Sequence, residues 1–202
     1  MPESIWKATL EGFRGRVAST APTPAGVSTA AVSASLGLGL LIKVLGIAKK
    51  RKDFSGDPAR VEEMLRSAQI ELTRLEHFAD DDIAAFDEYM ACRRLPGDAD
   101  ALAAALRRAI EVPLEAAAAA SRGLELCAAA TGLTPASIAP DLGSAAALLA
   151  GAVRAMLLSV DANVRELADP QYHGQAMAKR RDLGRNAQRL ADSILNQVGK
   201  PR

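Results

Sequence analysis

The stretch VEEMLRSAQIELTRLEHFADDDIAAFDEYM (61–90) decides the fold. Val61, Leu65, Ala68, Leu72, Leu75, Ala79, Asp82, Phe86 and Tyr89 follow one another in steps of four and three. That period is the signature of one helix face laid against a bundle seam. No part of the chain alternates with period 2 for long enough to be a strand. The rest falls into place around this helix. Upstream, Ser55-Gly56-Asp57-Pro58 breaks the chain, with Asp57 as N-cap and Pro58 at the first helical position. Downstream, Pro96-Gly97 ends the helix.

Five further helices are expected on the same grounds. The first spans Ser4 to about Ala18. The second runs from about Ser28 to Arg51, after a Pro22–Gly26 turn. The fourth starts near Asp98 and continues to about Ala130, and Pro113 inside it removes one backbone hydrogen bond and predicts a kink. The loop Thr131–Pro140 precedes a fifth helix capped by Asp141, with Leu142, Ala146, Leu149, Val153, Met156, Val160, Asn163 and Leu167 along its stripe. Asp169-Pro170 ends it, and a sixth helix covers roughly Gln175 to Val198. The reading is all-α: an up-and-down bundle of about six helices, one kinked at Pro113, forming a single domain over residues 1–202.

Composition narrows the function classes. Apolar residues make up 49% of the chain and aromatics only 3%, so alanine-rich helices must pack closely. Few aromatics argue against single-strand nucleic-acid binding by base stacking. A formal charge of +1 supplies no field to attract a nucleic acid. Cys92 and Cys127 lack CxxC spacing and read as small buried thiols of a reducing compartment. His77 and His173 have no ligand-like neighbours, so no metal site is expected. The N-terminus lacks signal-peptide features. The uncharged stretch Val27–Ile42 falls short of the roughly 18–20 residues that span a bilayer. A cytoplasmic protein without a membrane partner is the expectation.

Several polar residues stand where a seam wants apolar ones. Asp82 shares its face with Leu75, Ala79, Phe86 and Tyr89. Burial would raise its pKa and let it hold or release a proton near neutrality. A slight rotation would instead leave Asp80, Asp81 and Asp82 as a solvated acidic patch. Asn163 lies four residues after Ser159, so the two side chains share a helix face, open to a ligand or satisfied by the interior. Asp141 reads as an N-cap or a site residue. Lys49-Lys50-Arg51-Lys52 either complements a helix dipole or contacts an anion.

Taken in order, PTPAGVS (22–28), AKKRK (48–52), DIAAF (82–86), LP (95–96), VPL (112–114), PDLGSAAALL (140–149) and SVDAN (159–163) resemble the motifs of the cyclodeaminase/cyclohydrolase family of tetrahydrofolate enzymes. The resemblance runs from about Phe13 to about Leu167. It implies a helical, dimeric, metal-free protein without a cofactor, acting on a folate. It implies a catalytic role for Asp82, with Pro24, Gly26 and Ser28 lining the pterin-side turn, Asp141, Ser159 and Asn163 as supporting polar residues, and Lys49 and Lys50 on substrate carboxylates. This chain departs from the family at Ala25 and Val27, where glycines are usual, and at Pro140 and Ser159, where serine and asparagine are usual. The activity implied is hydrolysis of 5,10-methenyltetrahydrofolate to 10-formyltetrahydrofolate. The alternatives are formiminotetrahydrofolate cyclodeaminase, or a degenerate member that binds or scaffolds without turnover.

Overall fold

The computed structural model describes residues 4–94 and 97–199. Six α-helices carry the fold: α1 (Leu10–Val17), α2 (Gly26–Lys50), α3 (Pro58–Arg94), α4 (Ala99–Ala130), α5 (Ala139–Asn163) and α6 (Pro170–Val198). No strand occurs among the described residues. The Leu95-Pro96 motif lies outside them.

The boundaries follow local chemistry. Asp57 accepts from the Ala59 amide at 2.9 Å, and Asp98 accepts from Ala101 at 2.8 Å, so each opens the helix that follows it. Three expectations are corrected. The first helix is broken: Ile5–Lys7 forms a 3-10 turn, and α1 starts afresh behind the Thr9 cap. Asp141 does not cap α5; Ile138 takes the cap position and Asp141 sits in the first turn. Asp169 caps α6 from Pro170 onward, five residues earlier than the periodicity suggested, while α5 stops at Asn163.

Helices α2, α3, α4 and α5 close a ring in which each packs on its two neighbours. α6 lies in the groove between α4 and α5. Alanine and glycine set the spacing of the ring. A Cβ on Gly37 of α2 would come within 3.1 Å of the Ala145 carbonyl oxygen on α5. One on Gly123 of α4 would meet Leu38 at 3.0 Å and Leu149 at 3.1 Å. At both points only hydrogen fits without a shift of the neighbour. The core between them is Leu38, Leu41, Leu45, Leu75, Leu124, Leu142, Leu149 and Met156, all enclosed. The α4 helix runs unbroken through Pro113.

The α3 seam is rotated slightly from the sequence reading. Met64 and Glu71 are buried, and Leu65 and Leu72 only partly so. The α2 helix, at 25 residues, and the Ala136–Glu166 segment are long and apolar enough to cross a membrane, α2 by continuing past the uncharged Val27–Ile42 stretch. Half of each apolar window is enclosed by the bundle.

Candidate functional site

The N-terminus of α2, the middle of α3 and the C-terminal turn of α5 meet at one end of the ring. Between them lies a cavity of about 240 Å³, lined by Thr23, Gly26, Val27, Asp82, Phe86, Tyr89, Ala109, Ser159 and Asn163. Among the described residues, Asp82 is the only carboxylate on its wall.

The acidic run DDD separates into distinct environments. Asp80 accepts the Ile5 amide at 2.9 Å and fastens the N-terminal segment to α3. Asp82 points the other way and accepts the Ser28 hydroxyl at 3.0 Å. Its carboxyl is pushed above the usual carboxylate range by burial, against weaker pulls from the Ser28 hydroxyl and amide. The cap of α2 is Ala25, which has no side-chain acceptor to offer. Asp82 therefore supplies from a neighbouring helix the acceptor that the α2 N-terminus lacks.

Asn163 reaches the cavity through an arrangement that two separate motifs create together. Pro113 has no N–H, so the Ala109 carbonyl, four residues back on α4, loses its helical donor. Asn163 Nδ2 donates to that carbonyl oxygen at 2.8 Å. The amide of Asn163 is thus oriented by the gap that Pro113 leaves. Ser159, one turn earlier on the same face, keeps its hydroxyl without a hydrogen bond to any other described residue. Val27 is buried and forms part of the wall while leaving the cavity open. The turn needs no left-handed residue: no described non-glycine residue has positive φ, and Gly97 is the only such glycine. Thr23–Pro24 is a cis peptide.

The structure brings Asp82, Ser28, Gly26, Ser159 and Asn163 together, and does not bring the remaining expected site residues with them. Pro24 is buried and faces the neighbouring α2/α5 groove. Lys49 pairs with Glu62, and Lys50 is exposed. Both lie at the far end of α2, about 35 Å along its axis from Gly26. Asp141 pairs with Lys43 at 2.7 Å, about 27 Å along α5 from Ser159. Two aromatic residues of the α3 stripe prove to be wall residues. Phe86 faces the cavity, and the Tyr89 hydroxyl donates to Glu166 at 2.5 Å, with Arg93 stacked over the ring at 5.7 Å. Their place on the Asp82 stripe was the available signal.

Cys127 is enclosed, and burial pushes its thiol up to about 12, which leaves no thiolate for nucleophilic work at neutral pH.

The site chemistry is one carboxyl tuned toward its neutral form, two neutral polar groups and an aromatic wall. Such a set can pass one proton beside an aromatic wall. The chain is 26% identical over 198 residues to a methenyltetrahydrofolate cyclohydrolase of Methylorubrum extorquens, covering 94% of this chain and 95% of that one. Its fold matches the crystal structure of formiminotetrahydrofolate cyclodeaminase from Thermotoga maritima with a TM-score of 0.91, at 18% identity, over 96% of this chain and 97% of the other. The family model described as formiminotransferase-cyclodeaminase matches residues 9–182. This chain belongs to that family.

Proposed function

We propose that the protein is a methenyltetrahydrofolate cyclohydrolase of one-carbon metabolism, with Asp82 as its general acid/base. The observation that carries this is the position of Asp82. It is half-buried, held by Ser28 at the start of α2, and faces a cavity that also presents Ser159 and Asn163. The cyclohydrolase relative aligned over nearly the whole chain favours the hydrolytic reading.

The substrate carries a delocalised cation on its N5–C–N10 bridge. A carboxylate at Asp82 stabilises that cation and aligns a water beside the bridging carbon. The water oxygen bonds to the carbon and Asp82 takes its proton. The C–N5 bond then breaks as N5 receives that proton from Asp82, while the hydroxyl proton goes to solvent. The product is 10-formyltetrahydrofolate. No thiol nucleophile is required. Ser159 and the Asn163 amide hold the ring edge, and Phe86 covers its face.

The cyclodeaminase reaction is the second reading, favoured by the solved structure with the same fold. There the Asp82 proton would go to departing ammonia. Product analysis separates the two. Purified protein should bleach the methenyl absorbance faster than the spontaneous hydrolysis and release no ammonia from 5-formiminotetrahydrofolate. Ammonia release without bleaching would establish the deaminase instead, and neither activity would leave a non-catalytic family member.

A cytoplasmic homodimer completes the proposal. Thr29, Ser33, Leu36, Leu40, Lys43, Ile47 and Lys50 form a second heptad stripe on α2, along which Leu36, Lys43, Ile47 and Lys50 are exposed and Leu40 packs partly against the core. Leu36 is 59% exposed and Leu148, across the α2/α5 groove, is 38% exposed. A helix apolar on both faces asks for cover on both. A second copy, paired antiparallel along this stripe, would supply it and would bring the partner's basic α2 terminus toward the Pro24–Gly26 turn. That arrangement would give Lys49 and Lys50 access to the substrate from across the interface. Sedimentation should report a dimer, with Leu36→Lys monomeric.

A further inference from the structure

The two oxygens of the Asp82 carboxyl stand in different surroundings. Oδ2 accepts the Ser28 hydroxyl at 3.0 Å. Oδ1 makes no hydrogen bond to a described residue. Every fully buried side-chain oxygen among the described residues has a partner, so Oδ1 is open to solvent. Asp82 borders the 240 Å³ cavity, and Oδ1 is the oxygen that meets whatever enters it.

Ser28 stands behind the carboxyl. It is fully enclosed and is not one of the residues that line the cavity. Other hydroxyls of α2 turn back to the carbonyl four residues earlier: Thr29 to Ala25, Ser33 to Thr29 and Ser35 to Ala31. Ser28 does not. Asp82 Oδ2 is the one partner of its hydroxyl among the described residues. If Oδ2 carried a proton and gave it to Ser28, the Ser28 hydrogen would turn into an enclosed space with no other acceptor. An unmet enclosed hydroxyl is costly. Ser28 therefore donates, and Oδ2 is the oxygen kept free of a proton.

No charged neighbour shares this task. Tyr89 is the other titratable side chain on the cavity wall, and its hydroxyl is held by Glu166, with Arg93 over the ring. From α5 the wall receives Ser159, Ala162 and Asn163, and from α4 only Ala109. On α3 itself, Asp80 is taken up by the Ile5 amide. Burial raises the Asp82 carboxyl, and the Ser28 hydroxyl and amide alone pull it back.

We infer that Ser28 is a positioning residue: by donating to Oδ2 it reserves Oδ1 of Asp82 as the one atom that exchanges a proton in the cavity. This rests on the acid/base reading of Asp82. The proton of the attacking water goes to Oδ1 and leaves Oδ1 for N5, while Oδ2 stays fixed. Ser28 touches no reacting atom. It holds the carboxyl against rotation and stabilises its anionic form.

Infrared difference spectra over an acid-to-neutral pH series test this on the Asp82 carboxyl, with Asp82→Asn as the blank. A donor to the anion is lost in Ser28→Ala, so the titration midpoint should move to higher pH. A midpoint that stays where it is overturns the inference. So does one that moves to lower pH, because Ser28 would then be accepting from the neutral acid. Turnover of 5,10-methenyltetrahydrofolate above the spontaneous rate gives the second readout. At the plateau of the pH profile Ser28→Ala should lose about tenfold in kcat, the worth of one charge-assisted hydrogen bond, with KM within about twofold of the wild type. An unchanged kcat overturns the inference, and a rise in KM beside it would put Ser28 on the substrate. Should Ser28→Ala not fold, Ser28→Cys takes its place: a thiol is a weaker donor and should move both readouts the same way by less. A wild type without turnover, in which the midpoint still rises on Ser28→Ala, would sink the acid/base reading and leave the assignment of the two oxygens standing.

Discussion

Two carboxylates lie on the inward side of α3, three turns apart, and they do different work. Glu71 is buried and fully answered: Arg122 of α4 grips it with two hydrogen bonds of 2.7 and 2.8 Å, and Arg74 stands at 3.3 Å. Asp82 has only the hydroxyl and amide of Ser28 and no cation within ion-pair distance among the described residues. One carboxylate is gripped by two guanidinium groups in a structural tie. The other keeps access to its neutral form beside a cavity. A cation partner makes a buried acid a fastener, and its absence makes the acid available for chemistry.

The contrast can be broken from either side. The largest stability effect should come from Arg122→Ala, which strips Glu71 of its bidentate partner. Thermal or urea unfolding should show a loss of about 3 kcal/mol, the cost of orphaning a buried charge, softened by Arg74. Asp82→Asn keeps the Ser28 contact and leaves no charge stranded, so it should not destabilise the fold. Equal losses in the two variants would erase the distinction.

A smaller effect should follow from Pro113→Ala. The new N–H returns to the Ala109 carbonyl and competes with Asn163. Loss of one oriented amide is worth about 1 kcal/mol, so KM should rise about fivefold with little change in stability. Unchanged KM would mean that Asn163 takes no part in substrate binding.

The smallest effect is the pH dependence of stability. The carboxyl of Asp82 is raised in the folded state, so the folded protein holds that proton more tightly than the unfolded chain does. Stability from this group is full in acid and is lost as pH rises from its unfolded value through its folded one. Asp82→Asn should therefore gain on the wild type between acid and neutral pH, by less than about 1 kcal/mol. A gain in the opposite direction would place Asp82 in a charge-stabilised setting.

Periodicity and punctuation made most of the fold legible. The α3 stripe, the Asp57-Pro58 start and the Pro113 position were all readable, because helix faces and caps are local properties. Glu71 was not. Its neighbour Leu72 suited the seam better by type, and only the approach of Arg122 from α4 makes a buried glutamate tolerable. The site divided in the same way. Asp82 and Asn163 stood out as polar residues on apolar stripes. Lys49, Lys50 and Asp141 were grouped with them by motif order, yet the length of α2 and α5 carries them to the opposite end of the bundle. The link between Pro113 and Asn163 spans two motifs and needs a third residue, the Ala109 carbonyl, that no side-chain pattern marks.

The role of Asp82 in catalysis is tested by the single-turnover loss of methenyl absorbance in wild type and Asp82→Asn, measured side by side on folded protein. The wild type should exceed the spontaneous rate, and the variant should lose about 100-fold or more of that acceleration while still binding tetrahydrofolate. A variant that turns over as fast as the wild type would contradict it.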